Sequence, residues 1–295
     1  YAFWLSTQNE TNDLEVTIKD NVFDDVTMPQ GAGGGGTLNG LRIDPVGEGH
    51  VINILNNRID GVQFTDSGDM HSLAAIRILA PTSPTLNIHH NSINVLPSTG
   101  SYPDIDSTNC FGLGLITIGF SGTANIHNNV IRNGQPNGAA VNYAVLPSTV
   151  NADNNIYYAD NGTMARILGT IYNDIEQMAA ATGFDGNSAN IDPNMPHGGY
   201  PGHWINGNSI PADTHLSGSV GPVYEGPLLP GITKDIDGED RATSPTIIGA
   251  DVPEDSDADG VPNAVEDGAP NNGDGDNDGT PDSQQPNVAS RPAPD

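Results

Sequence analysis

The chain has 295 residues, with 9 Lys and Arg against 37 Asp and Glu, a formal net charge of −28. So few cations cannot build the basic patches that neutralise nucleic-acid phosphates, and no run approaches the ~20 apolar residues of a membrane-spanning helix. The 36 Gly and 23 Pro make the chain turn-rich, yet 35% of residues are apolar and recur in a pattern, which is the mark of a folded acidic protein.

The sequence opens at Tyr1-Ala-Phe-Trp-Leu5, with neither Met nor a signal peptide, and reads as a processed or trimmed piece of a longer precursor. No long amphipathic cap precedes the first repeat. Its edge is therefore expected to stack on further coils or on another subunit, an end-to-end self-association.

Five segments then align without gaps: 16–23, 52–59, 86–93, 124–131 and 150–157. The shared pattern is apolar, polar, apolar, two mostly polar positions, Asn, any residue, apolar. The sixth position is Asn in all five, at Asn21, Asn57, Asn91, Asn129 and Asn155, with separations of 36, 34, 38 and 26 residues. Alternation at period two predicts a strand with one buried face, and its break before the Asn predicts a bend. A buried Asn at every bend can hydrogen-bond the rungs on either side, which satisfies an amide that costs ~1–3 kcal/mol when left unpaired. A second strand is expected before three of the units, at Leu41-Arg-Ile43, Ile76-Arg-Ile78 and Leu115-Ile-Thr-Ile118. Strand, turn, strand, bend and variable loop describe one coil of a parallel β-helix over residues 1–160. Cys110 stands alone, which excludes an intrachain disulfide, and beside Phe111 it is expected to be a small core residue.

These repeats resemble those of secreted bacterial right-handed parallel β-helix proteins, the fold shared by pectate-lyase-like enzymes and many surface proteins. The resemblance spans about residues 12–160 and implies an all-β solenoid; it says little about activity.

Residues 161–250 break the repeat. Met164-Ala-Arg-Ile-Leu168 and Ile171–Ala181 have helical composition, with Asn173 as an expected N-cap. With Thr182–Ser188, Asp192-Pro193, Lys234–Arg241 and Ile248–Ala250, this order resembles the closing region of β-helix proteins that carry a choice-of-anchor domain. The resemblance implies a helix- and loop-rich cap over the last coil, where an open sheet edge needs cover. Arg241 among Asp235, Asp237 and Asp240 is expected to make a structural ion pair.

Residues 251–295 form an acidic tail. Asp255, Asp257, Asp259, Gly260 and Glu266 match the calcium-loop template, whose oxygens fall at positions 1, 3, 5 and 12 with Gly at 6; Val261 and Asn263 take positions 7 and 9. A second copy follows at Asp274, Asp276, Asp278, Gly279, Thr280, Asp282 and Gln285. Pro253, Pro262, Pro270 and Pro281 argue against the flanking helices of an EF-hand. The two loops resemble thrombospondin type 3-like repeats of bacterial extracellular proteins. That implies Ca²⁺ binding at an affinity on the order of 10⁻⁴–10⁻³ M, weaker in the second loop because Gln285 replaces the acidic last ligand.

Stacked repeats place side chains in columns. One outward column reads Thr17, Asn53, Asn87, Asn125, Asn151, and the next Lys19, Leu55, His89, His127, Asp153. Polysaccharide lyase chemistry needs a cation against a uronate carboxylate and a base for the α-proton, for which Arg77, His89 and His127 are the best candidates. A glycoside hydrolase needs two carboxylates roughly 5–9.5 Å apart, and Asp24-Asp25, Asp20 and Asp153 offer no evident pair. An ordinary solvated β-helix face explains the same Asn and His columns. The expected function is therefore a secreted, calcium-stabilised structural or adhesive surface protein, with an outer-face lyase or hydrolase, or a non-catalytic module binding extracellular polysaccharide, as alternatives.

Overall fold

Each aligned repeat sends one strand into each of three parallel sheets. The computed structural model describes residues 3–6, 13–24, 26–28, 36–44, 48–64, 70–79, 82–98, 108–116, 121–160, 162–193, 195, 204–205, 208–209, 224–236, 238, 240–241, 245–251, 266 and 269–285. The first sheet holds Glu15–Lys19, Val51–Leu55, Thr85–His89, Thr123–His127 and Thr149–Asp153. The second holds Val22–Phe23, Arg58–Phe64, Ser92–Val95, Val130–Asn133 and Ile156–Ala159, with Thr27–Met28 as a side strand on Arg58–Phe64. The third runs through Phe3–Ser6, Gly36–Asp44, Met70–Ile78, Cys110–Leu115, Ala139–Tyr143 and Thr163–Ile167, and ends on an antiparallel strand, Thr170–Tyr172.

Along the chain the strands visit the first, second and third sheets in turn and return one position further on. The chain is all-β with stacked parallel sheets, an arrangement consistent with a β-helix-like winding. The first sheet is in register throughout, with Val16, Ile52, Leu86, Ala124 and Val150 side by side. Inward columns such as Ile54, Ile88 and Ile126, or Leu41, Ile76, Leu113 and Val141, are fully buried. Cys110 is buried among them as expected.

The bend has a simple chemical cause. Asp20, Asn56, His90, Asn128 and Asn154 all adopt a left-handed backbone with φ between 53° and 60°. Asn and Asp are the non-glycine residues that enter this region most readily, because a short polar side chain bonds locally. The following Asn then turns inward, exposed at Asn21 and buried on the four later rungs. Asn21 Nδ2 donates to Asn57 Oδ1 at 2.9 Å, Asn57 to Asn91 at 3.0 Å, Asn91 to Asn129 at 2.9 Å and Asn129 to Asn155 at 3.0 Å. Each acceptor Oδ1 also takes the backbone N–H of the Asn before it. Each later Nδ2 also reaches the carbonyl of Ile18, Ile54, Ile88 or Ile126. The column ends on Asp185, whose Oδ1 accepts from Asn155 Nδ2 at 3.0 Å.

Several local expectations need correction. A coil has three strands where the spacing showed two, because the residues after each Asn carry straight on into the second sheet. The strand placed at Leu115–Ile118 is Cys110–Leu115, with Leu115 opposite Ile78. Its glycines hid it. A Cβ at Gly112 would stand 2.5 Å from Ile131 Cγ2 and 2.8 Å from the Ala140 carbonyl, so only glycine fits that close approach. Met164–Ile167 lies in a strand, not a helix, since pairing with Ala139–Tyr143 outweighs its weak helical preference. The helix is Ile175–Thr182, capped by Asp174, whose side chain accepts from Gln177 N, and closed by Gly183 at φ 81°. Asn173 instead accepts from Met164 N.

That helix places Met178, followed by Phe184, against the open end of the main core. The chain then pairs under the last rung, through Asp185 N to Ala152 O, Ala189 N to Asn155 O and Tyr157 N to Ala189 O. The described residues between Tyr224 and Asp251, which form a strap, lie along the outside of the bend corner. Asn128 Nδ2 donates to Pro227 O, Gly249 N to Asn128 O, Ala250 N to Ser92 Oγ, and Lys19 Nζ to Gly231 O. Ile248, Tyr224 and Met195 cover Val130 and Ile156. Arg241, within this strap, is buried and donates to Asn56 Oδ1 and the Gly249 carbonyl at 2.8 Å and to the Ile247 carbonyl at 2.9 Å. Burial lowers its pKa to about 10 against the opposing pull of Asp235, Asp251 and Asp20. Asp237 lies outside the described residues.

Candidate functional site

The outward face of the first sheet carries a second column of amides. Asn151 Nδ2 donates to Asn125 Oδ1, Asn125 to Asn87, Asn87 to Asn53, and Asn53 to Thr17 Oγ1 and Glu15 Oε1, all between 2.7 and 3.1 Å. Alongside run His89 and His127 on adjacent strands, their ring centroids 5.5 Å apart and the planes tilted by 34°. The strap supplies a wall. Leu229 and Pro230 face the two histidines and Asn53, Asn87 and Asn125 across a cleft of ≈ 380 Å³.

Burial, and then the neighbouring His127, lowers the His89 pKa to about 4, against a weak opposing contact with the Ile88 backbone. Burial also lowers His127, opposed by the Asp153 backbone and charge. Both rings are neutral at neutral pH and available as donors, acceptors or metal ligands.

Arg77 is not with them. It stands on the third sheet between Arg42 and Gly114, donates to Ser72 Oγ at 2.6 Å and lies 5.9 Å from the Phe111 ring centroid. Of the three catalytic candidates the structure unites two. Of the carboxylates weighed for hydrolysis, Asp25 is outside the described residues, and Asp153 accepts from Asn187 N and Nδ2 at 2.7 Å.

Two buried acids with a raised pKa escaped the sequence reading. Burial raises Asp60 to about 6, although Gly61 N donates to it at 2.7 Å. Burial likewise raises Asp185 to about 6 despite donors from Ser188, Asn155 and Tyr157. The wall residues Leu229 and Pro230 carry no repeat signal at all.

In the tail, Asp255, Asp257, Asp259, Val261 and Asn263 lie outside the described residues, while Glu266 is buried. In the second loop, oxygens of Asp274, Asp276 and Asp282 converge to within 4.8 Å of one another, and Asp282 is fully buried. Gly275 N points at both Asp282 oxygens, at 3.0 Å. Asp274 accepts from Asp278 N and Gly279 N, and Asp278 from Thr280 N. Gln285 Nε2 donates to Asp278 Oδ1 and the Thr280 carbonyl at 3.0 Å, bridging two of the expected ligands. Partial desolvation, and then the Asp278 and Asp274 charges, push the Asp276 carboxyl upward, while its hydrogen bond from the Asp278 backbone opposes this. Pro270 opens a single turn, Pro270–Gly273, not an EF-hand helix.

No family model, curated protein or solved structure matches the chain. The functional reading therefore rests on the geometry: a neutral histidine pair at the floor of a cleft, and three clustered carboxylates that could hold a metal ion.

Proposed function

We propose that this chain is a secreted, calcium-stabilised right-handed parallel β-helix with a structural or adhesive role at a cell surface or in an extracellular fibre. The observation that carries this reading is the pair of unbroken amide columns. Every rung is tied to its neighbours twice, at the bend and on the outward face of the first sheet, which would make a stiff periodic rod, while Arg77 stands on a different sheet from His89 and His127. The exposed Phe3 and Trp4 on the edge strand of the third sheet support end-to-end association with a second copy.

The donor set of the second loop fits calcium, a hard cation that takes oxygen ligands and relieves the repulsion of clustered carboxylates. Asp274, Asp276, Asp278, the Thr280 carbonyl, Asp282 and Gln285 would hold it. The first loop would take a second ion through Asp255, Asp257, Asp259, Val261, Asn263 and Glu266. Small-angle scattering and electron microscopy with calcium and after chelation test the reading. Extended, end-joined particles whose tail loosens on chelation are expected; a compact monomer indifferent to calcium would overturn it.

The cleft over His89 and His127 favours a second reading, a site for extracellular polysaccharide. Binding without turnover would make the chain a glycan-binding module. Reducing ends or unsaturated uronates released from a polysaccharide panel would make it a hydrolase or a lyase.

A further inference from the structure

Two neutral imidazoles on neighbouring strands, one partly buried strand spacing apart, are an arrangement that the rod-like function does not use. Their separation has a metric meaning. A transition metal sits ~2.1 Å from a ligating ring nitrogen, and that nitrogen lies about 1.2 Å from the ring centroid, so metal and centroid are about 3.3 Å apart. Two such ligands at the tetrahedral angle of ~109° place their centroids about 5.3 Å apart. His89 and His127 stand at 5.5 Å.

We propose that His89 and His127 form a binding site for a borderline divalent transition ion of the Zn²⁺, Ni²⁺ or Cu²⁺ class, separate from the carboxylate loop of the tail. Imidazole nitrogen selects this class over calcium. The Asp153 backbone lies near the His127 ring, where it can serve as the outer support that fixes the orientation of a ligating histidine. His89 Nδ1 is buried beside the Ile88 backbone, so the nitrogen of this ring that would take the ion is Nε2. Asp153, next in the column, is held by Asn187 at both oxygens. The remaining positions open into the cleft, where Asn87 Oδ1 keeps a spare lone pair beside its bond from Asn125 and water has room to enter. A chain of net charge −28 raises the local cation concentration around such a site.

The test titrates Zn²⁺ into the full chain in saturating calcium, by calorimetry, with Cu²⁺ electron paramagnetic resonance on the same protein. One Zn²⁺ per chain is expected at the histidine pair, with affinity falling at least about tenfold in His89→Gln and in His127→Gln and disappearing in the double variant. Asp276→Asn is expected to leave it unchanged. The Cu²⁺ spectrum of the unaltered chain is expected to show hyperfine structure from two imidazole nitrogens, a readout that needs no variant to fold. Binding that survives the double histidine variant, or is lost in Asp276→Asn, would place the ion in the tail and overturn the assignment, as would a copper spectrum with oxygen ligands alone.

Discussion

Truncating one residue of the buried amide column separates its contribution from that of ordinary surface polarity. Asn91 accepts from Asn57 N and Nδ2, each at 3.0 Å, and donates to Ile54 O at 2.9 Å, His89 O at 3.1 Å and Asn129 Oδ1 at 2.9 Å. In Asn91→Ala the backbone N–H of Asn57 loses that acceptor inside the protein, at a cost of ~1–3 kcal/mol for an unsatisfied buried donor. Ile54 O, Asn57 Nδ2 and Asn129 Oδ1 each lose one of their bonds. Asn57 Nδ2 keeps Ile18 O and Asn129 Oδ1 keeps Asn91 N. With these partial losses the total comes to about 3–4 kcal/mol. Asn21 is exposed, and its removal leaves Asn57 Oδ1 still bonded to the backbone N–H of residue 21, so Asn21→Ala is expected to cost under ~1 kcal/mol. Asn87→Ala, on the outward column where water can replace the amide, is expected to cost ~1 kcal/mol. Urea unfolding of the three variants at unchanged slope measures the differences. If Asn91→Ala costs no more than Asn21→Ala, the column is a by-product of the winding and not a source of its stability.

Asp185→Asn is expected to stabilise the fold by about 2–3 kcal/mol near pH 7.5, because it removes a desolvated charge while keeping an acceptor for Asn155 and Ser188. Its folded pKa is raised, so the stabilisation from protonating Asp185 is complete below the ordinary value of 3.8 and is lost as pH rises through about 6. The gain over the unaltered chain should therefore vanish near pH 3.5, which denaturation at the two pH values checks. Gly112→Ala is expected to cost about 1–3 kcal/mol, read from its thermal midpoint, since the new methyl meets Ile131 and the Ala140 carbonyl. Arg241→Met should release the strap, at a cost of about 3 kcal/mol. Hydrogen exchange should then rise at Ile236 and Ile248–Ala250, and unchanged protection there would refute the role given to Arg241.

The repeat was legible because the same residue recurs wherever the same geometry recurs. Five aligned Asn marked the corner, and the flanking alternation marked the first sheet. The position just before each Asn held a further signal: Asp, Asn, His, Asn and Asn are residues suited to a left-handed backbone, and they locate the turn to within one residue. The third sheet was harder to read because Gly112 and Gly114 break its pattern where Ile131 and the strand's own Phe111 fill the space. Ala139–Tyr143 was missed for a related reason: its small side chains carry no strong alternation. The cleft was half visible. His89 and His127 fall in one column by counting, but the wall at Leu229 and Pro230 depends on where a non-repeating segment docks, and no local pattern encodes that. Arg77 lies on a strand outside the aligned units, beside Arg42 on a neighbouring sheet, and so stands apart from the two histidines.

The two amide columns on the first rungs also have a direction. In the inner column one N–H of every Nδ2 donates toward the C-terminal end of the stack, from Asn21 through Asn155, where it meets the carboxylate of Asp185; the other N–H of the four later amides turns back to a carbonyl of the preceding rung. In the outer column every Nδ2 donates the opposite way, from Asn151 through Asn53, and the last hydrogen meets the carboxylate of Glu15. Side-chain dipoles aligned head to tail add up, and each run places its positive pole on an acid, much as a helix places its first turn on an anion. One run lies at the bend and the other on the outward face of the first sheet, and the two point opposite ways. Each rung added to the stack extends both, so neither dipole grows unopposed.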